Sequence, residues 1–377
     1  MTETEAGPTG IVLMNLGGPR DLNDVNPFLQ ALFRDREIIQ LPMQGLMGPW
    51  LANRRTKKVQ DHYREIGGGS PILHWTELQG TGMIERLDVI SPETAPHRFY
   101  VAFRYVEPSS DTALRAMAAD GVRRAVAFTQ YPQFSCSTTG SSINELWRAA
   151  RRTGLQAAFR WSVIDRWPAH EGFVAAMTKT VRSGLAEFPE EEQGDVLLLF
   201  SAHSLPLHVI DRGDPYPAEV GASVHEVMKR LAFRHQYLVS YQSDVGPLPW
   251  LGPSTEQVIK DLGAKRQKNV LVIGIAFTSD HIETLHELDI EYGELAAGVG
   301  IERFRRAPAL NGQPEFQDAL AAIVAEHLRS GEVASPNYGL RCPGCVNPQC
   351  RNVLNPVSAY RRSGVSPSKA NRLYQTS

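Results

Sequence analysis

Short, mostly apolar runs recur along this chain, and each is followed by small, polar or aromatic residues. They lie at residues 11–16 (IVLMNL), Tyr100–Phe103, Ala125–Thr129, Trp161–Ile164, Val196–Phe200, Leu238–Gln242 and Asn269–Phe277. Runs this brief and this apolar are the pattern of parallel strands buried on both faces. Between them the spacing predicts helices at Val25–Phe33, Phe173–Phe188, Ala218–Phe233 and Glu315–Leu328. The alternation argues for an α/β fold with right-handed crossovers. A chain of 377 residues exceeds the about 250–300 at which a single core stops growing, so two similar α/β halves are expected, joined near residues 166–172. Gly17-Gly18-Pro19 follows the first run, but no G-x-G-x-x-G accompanies it, which argues against a nucleotide site.

In open α/β sheets ligands bind beyond the carboxyl ends of the strands. After Val196–Phe200 come Ser201, Ala202, His203 and Ser204, with Pro206 forbidding a simple continuation. An imidazole there suits a base at neutral pH, or it simply bonds a neighbouring carbonyl. A second run, NVLVIGIAF, leads to Asp280, His281, Glu283, Glu287 and Glu291. Read as an α-helix, Asp280, Glu283 and Glu287 share one face, and Glu291 extends it. Such a stripe is ordinarily a solvated face. Starting at a strand end beside a second histidine, it favours a cation or proton path.

Charge and composition narrow the class. Apolar residues at 42%, charged residues at 21% and a net charge of −2 describe an ordinary globular protein with no reason to bind nucleic acid. The apolar runs fall far short of the ~20 residues that span a bilayer. The opening MTETEAGPTG is neither a secretory signal nor an Arg-rich transit peptide, so the expectation is a bacterial chain or one beginning after a removed presequence. Ile38–Ala52 carries Leu41, Met43, Leu46, Met47, Trp50 and Leu51 with almost no charge: a tucked loop, or an exposed lip that touches membrane. Arg54, Arg55, Lys57 and Lys58 follow, a solvated face or a site for carboxylates. Cys342, Cys345 and Cys350 form Cys-x2-Cys-x4-Cys, which is metal-ligand spacing, and Cys136 stands apart. Zinc is the common partner of such thiolates, although no second Cys-x2-Cys pair is present.

SAHSLP, RGDPYP, VGPLPWLGP, FTSDHIETLHELDIEY, FTQYPQFSCSTTGSS and IGGGSPI together resemble the ferrochelatases, over about Ile11 to Cys350. RCPGCVNPQC and QYPQFSCSTT narrow the likeness to the iron–sulfur-containing type. The resemblance implies two Rossmann-like, chelatase-type domains with parallel sheets and a porphyrin cleft between them. It sets these at residues 1–168, which carry the lip, and 169–330, with a short cluster-binding extension at 331–377. It implies an enzyme that inserts ferrous iron into protoporphyrin IX to form protoheme, the last step of heme synthesis. A chelatase for another tetrapyrrole or metal, or a non-catalytic porphyrin or heme carrier, remains as an alternative.

Residue by residue, His203 would be the base that takes a pyrrole proton as a neutral imidazole. Glu283, Asp280, His281 and Glu287 would form the proton or metal path. Arg55, Lys58 and Ser70 would hold the propionates, while Met14, Tyr63, Tyr131 and Trp250 would wall the pocket and Arg104 and Tyr105 would line it. Cys136, Cys342, Cys345 and Cys350 would bind a 2Fe-2S cluster, with the tail beyond Cys350 poorly ordered and free of ligands. A homodimer and peripheral membrane contact complete the picture: the matrix face of the mitochondrial inner membrane in a eukaryote, the cytoplasmic face of the cell membrane in a bacterium. Asp244 and Glu171 depart from the family pattern, which bears only on local surface pairing and secondary metal sites.

Overall fold

A computed structural model describes residues 7–244 and 248–347. Two four-stranded, all-parallel sheets organise it. The first has the order β2-β1-β3-β4, from β1 (Thr9–Asn15), β2 (His97–Phe103), β3 (Arg124–Thr129) and β4 (Arg160–Ile164). The second repeats it as β6-β5-β7-β8, from β5 (Leu197–His203), β6 (Tyr237–Gln242), β7 (Asn269–Gly274) and β8 (Arg303–Arg306). The helices around the first sheet are α1 (Val25–Arg34), α2 (Gln44–Glu65), α3 (Ile72–Ile90), α4 (Ser110–Ala119) and α5 (Ser141–Thr153). Those that follow are α6 (Glu171–Leu185), α7 (Leu207–Asp211), α8 (Tyr216–Arg230), α9 (Thr255–Ala264), α10 (Tyr292–Gly298) and α11 (Pro314–Ser330).

Alternation along each strand divides the core. Ile11 and Leu13 face the same cluster as Leu198 and Phe200, whereas Val12 and Met14 face another, with Leu114 and Trp161. Leu197 and Leu199 face a third cluster on the far side of the second sheet. One shared core therefore joins the two sheets, because successive side chains on a strand point to opposite faces. Helix α11 seals that core by leaving the second sheet and packing on α3 and α6. Gln317 donates to the Leu78 carbonyl at 3.1 Å, and Arg86 pairs with Asp318.

Three departures from expectation have plain causes. β5 runs on through His203 because Ala202 and His203 pair with Tyr241 and Gln242 of β6. β8 reads RFRR and has no apolar run; as an edge strand it needs none. The segment Glu283–Glu291 is a π-helix rather than an α-helix, with the Tyr292 amide reaching back five residues to the Glu287 carbonyl. π-Helical turns are rare and gather at functional sites. A second one spans Cys136–Gly140.

Candidate active site

Each sheet reverses its strand order at its centre, between β1 and β3 in the first and between β5 and β7 in the second. The carboxyl ends at these two switch points meet. Thr278 Oγ1 donates to the Gln130 carbonyl at 3.3 Å, and Gln133 Nε2 to the Ile275 carbonyl at 3.3 Å. Tyr63 and Tyr131 of the first half have hydroxyls pushed up by burial and then by the charge of Glu283 in the second. The cleft thus lies where ligands bind in open α/β sheets.

Glu283 is its centre. One carboxylate oxygen lies 3.3 Å from His203 Nε2 and the other 3.2 Å from His281 Nε2. Each imidazole donates its other nitrogen to a carbonyl: His203 Nδ1 to Ser204, and His281 Nδ1 to Ser279 at 2.9 Å. With an acceptor at both nitrogens, each ring is favoured as imidazolium. Burial opposes the charge on His203, but the Glu283 carboxylate outweighs it and raises the pKa to about 9. His281 is raised for the same reason. Burial likewise opposes the Glu283 anion, and the two imidazoliums overcome it, holding the carboxyl well below its ordinary range. The side chains of His203 and Glu283 remain 36% and 28% exposed, so water in the cleft tempers these shifts. The neutral imidazole expected at His203 is therefore not the resting form; the protonated one is.

Glu287 lies one step outward. It accepts from Gln242 Nε2 at 2.9 Å, the Ser243 amide at 2.7 Å, the Ser243 hydroxyl and Tyr292 OH at 3.0 Å. Burial raises its carboxyl against these donors, and the Glu283 charge adds to the rise. Gln242 Nε2 also donates to the Glu283 carbonyl at 2.9 Å, tying the two acids together. The wider π-helical turn brings residues four apart, Glu283, Glu287 and Glu291, into one file and leaves Asp280 off it. Asp280 faces elsewhere, held by Arg306 at 3.0 Å, Asn311 at 2.8 Å and Thr284 at 3.0 Å. It anchors the start of the turn and does not join the path expected of it. Gln242 and Ser243 carry no signal in the sequence, because strand periodicity gives no hint of a partner some forty residues on; Tyr292 lies only five residues from Glu287 and meets it through the π-turn.

Ser70 is drawn to the first switch point: its amide donates to the Pro19 carbonyl at 2.7 Å. A Cβ on Gly18 would come within 2.8 Å of the Ser70 side chain, so glycine is required there. Arg55 and Lys58 stand one turn apart on α2, with the Arg55 guanidinium 6.0 Å from the Phe33 ring centre. Trp250 is held by backbone pairing to Pro206, and Leu207 N donates to Pro249 O at 2.9 Å.

Three assignments need correction. Met14 is 1% exposed inside the cluster with Leu114 and Trp161, because its position on β1 points it away from the cleft. Arg104 and Tyr105 are committed internally. The Arg104 side chain is 4% exposed and bonds Asp35 and, at 2.8 Å, Glu37, while Tyr105 OH donates to Asp35 at 2.6 Å. Their polar atoms neutralise buried acids rather than line a pocket. The two departures sit where little is at stake: Glu171 is an exposed partner of Arg230 at 2.9 Å, and Asp244 is exposed.

At the lip, Met43, Leu46 and Trp50 are 70%, 71% and 52% exposed at the start of α2. Gln44 and Gly48 turn the other way and pack on α1. Among the described residues no helix is long and apolar enough to cross a membrane. Cys136 opens its π-turn with its amide donating to Asp214 at 2.8 Å, and its thiol is pushed up by burial, then by Asp214 and by Cys342. The Cys342–Cys345 turn lies against the same loop, with the Gly344 amide donating to the Arg212 carbonyl at 2.9 Å. Cys350 and the tail lie outside the described residues.

Comparison with known proteins agrees with this arrangement. The ferrochelatase family model matches residues 8–328. The mitochondrial ferrochelatase of Xenopus laevis is 53% identical over 343 residues, covering 91% of this chain and 84% of that protein. The mitochondrial ferrochelatase of Homo sapiens is 52% identical, covering 91% and 81%. Among solved structures, the sirohydrochlorin chelatase SirB of Bacillus subtilis subspecies spizizenii in complex with cobalt aligns at a TM-score of 0.46 and 12% identity, over 86% of this chain and 98% of that one. By the reach of the family model and the identity to these two ferrochelatases, the chain belongs to the ferrochelatase family.

Proposed function

We propose that the cleft inserts ferrous iron into protoporphyrin IX to form protoheme, the closing step of heme synthesis, as a lyase. The observation that carries the chemistry is the His203–Glu283–His281 arrangement, in which one carboxylate is clamped by two imidazoliums. Two pyrrole protons must leave as the metal enters. An arriving dication repels the two imidazoliums and drives their protons outward, so that His203 becomes the neutral base only when iron is at hand. Glu287, with its raised carboxyl and its link through Gln242, is suited to receive a proton from Glu283 and release it towards solvent. Arg55 and Lys58 would take the propionates with Ser70, and Tyr63, Tyr131 and Trp250 would bound the ring.

The cysteines fit a resident 2Fe-2S cluster. Cys136 is half-buried beside an acid and a second thiol, a setting that penalises a thiolate unless a metal supplies positive charge. A donor set of sulfur atoms suits iron–sulfur or zinc. Cys136, Cys342, Cys345 and Cys350 would hold the cluster, whose contribution would be to tie the extension at 331–377 onto the first half. The domain division at 1–168 and 169–330 is supported by the two complete sheets, with α11 crossing between them. The exposed residues of α2 support peripheral contact with a membrane, at the matrix face of the mitochondrial inner membrane or the cytoplasmic face of a bacterial cell membrane, and a homodimer is part of the same reading.

Absorption spectra of the protein with ferrous iron and several porphyrins test the function. Turnover of protoporphyrin IX to protoheme is expected; stoichiometric porphyrin binding without metal insertion would make the protein a carrier, and preference for another ring or metal would make it a different chelatase. The purified protein should be reddish with about two irons per chain, and Cys136→Ser should bleach it. Colourless protein with one zinc per chain would overturn the cluster and leave the chelatase reading intact.

A further inference from the structure

Outside the cleft, a second set of metal-binding side chains joins α2 to the π-helix. The His62 and His286 rings stack with centres 3.8 Å apart and planes 13° from parallel. One donor atom from each of His62, His286 and Glu291 lies within 4.8 Å of the others. His286 is buried, His62 is half-buried and Glu291 is exposed, so the set is anchored on one side and open to solvent on the other.

The hydrogen bonding decides which atoms face the gap. His286 Nε2 lies 2.8 Å from a Glu65 carboxylate oxygen, which fixes the tautomer with the proton on that nitrogen. Nδ1 is then an unprotonated donor, and it faces Glu291 Oε2 at 3.8 Å, too far for a hydrogen bond. In a tetrahedral site with bonds of about 2.0–2.1 Å, neighbouring donors stand roughly 3.4 Å apart. Each lone pair lies in its ring plane, so the half-buried His62 must swing out of the stack before both nitrogens and the carboxylate converge on an ion. A carboxylate on the far nitrogen of a ligating histidine is the usual outer support of such sites. Two imidazoliums would repel at this stacking distance, and burial with the neighbouring ring holds His62 below its ordinary pKa, leaving its lone pair available. Lys58 also acts on His62 with positive charge, opposed by Glu65 and Glu291.

We propose that His62, His286 and Glu291 bind a divalent first-row transition-metal ion, with Glu65 orienting His286. Two imidazoles and one carboxylate select zinc, cobalt or ferrous iron over magnesium or calcium. The site stands at the outer end of the Glu283–Glu287–Glu291 file and fastens the far end of the lip-bearing helix α2 to the π-helix.

Cobalt is the probe, because its visible absorption reports coordination. The protein as purified, with no porphyrin present, is titrated with cobalt(II) alongside His62→Gln and Glu291→Gln. In the unaltered chain this site is expected to contribute one bound cobalt and a rise in melting temperature. Each variant should lose that ion or bind it at least tenfold more weakly, and lose the thermal rise. Should His62→Gln fold poorly, Glu291→Gln decides alone, since its side chain is largely in solvent. Titrations and melting shifts in the variants equal to those of the unaltered chain would overturn the site. Because nothing here measures heme formation, failure of this site leaves the insertion reading standing, and the reverse.

Discussion

The two sheets share one strand order, yet their carboxyl ends are finished in opposite ways. At the first, the switch point between β1 and β3 is closed by neutral groups: Tyr131 OH donates to Asn15 Oδ1 at 2.8 Å and accepts from the Leu16 amide at 2.8 Å. Its nearby charges, Arg104 and Arg148 against Asp35 and Glu37, balance one another in a closed network. At the second, His203, Glu283 and His281 leave a net positive charge beside the cleft, with an acid file leading away. One half holds its shape, and the other titrates. A duplicated scaffold sets where a site forms, and the side chains at its strand ends set whether that site does chemistry.

Removing the base gives the largest effect. His203→Ala should lower metal insertion by about 10²–10⁴-fold with porphyrin affinity nearly unchanged, read by single-turnover absorption and porphyrin fluorescence quenching. Turnover near that of the unaltered chain would put the second half on the same footing as the first.

Glu283→Gln comes next, and it also bears on pH. The folded chain holds the His203 proton more tightly than the unfolded chain does. Its contribution is complete below about pH 6.5 and vanishes as pH rises to about 9. Glu283 acts in the opposite sense, contributing above its ordinary pKa near 4.5 and losing that contribution as pH falls through its lowered one. The clamp therefore stabilises the fold most between about pH 4.5 and 6.5. In Glu283→Gln, turnover should fall tenfold or more. The loss of stability between pH 6.5 and 9 should disappear, as followed by melting temperature against pH. An unchanged alkaline limb would show that Glu283 does not hold the His203 proton.

Arg104→Met probes the other half. It strands Asp35 and Glu37 without their main partner, a loss expected at about 3–5 kcal/mol of stability by denaturant titration. Per folded molecule, kcat/KM should change less than about threefold. A rise in KM for porphyrin with little loss of stability would return Arg104 to the pocket. The smallest effect is on the lip: Leu46→Asp with Trp50→Asp should abolish sedimentation with liposomes and move stability by less than about 0.5 kcal/mol, since both side chains are exposed.

Much of this was legible in the residues. Val196–Phe200 and NVLVIGIAF announce buried parallel strands, and the helices at 173–188, 218–233 and 315–328 follow from spacing, because burial on one face imposes a period that local sequence must carry. β8 was not legible, because an edge strand buries too little to need an apolar run. The departure of Asp280 from the acid file was not legible either, since it depends on a π-helix whose wider turn no period in the residues announces. Met14 and Arg104 look like pocket residues until their neighbours are known.

The amino-acid sequence by itself determined that this would be a two-sheet α/β chain with histidines and acids at the strand ends of its second half. Tertiary structure alone decided their charge. His203 waits protonated, and Glu283 ionised, because residues some eighty positions apart come within 3.3 Å. At that distance, in a partly dry cleft, Coulomb attraction outweighs the cost of burying each charge, and no property of either residue in the chain could set that balance.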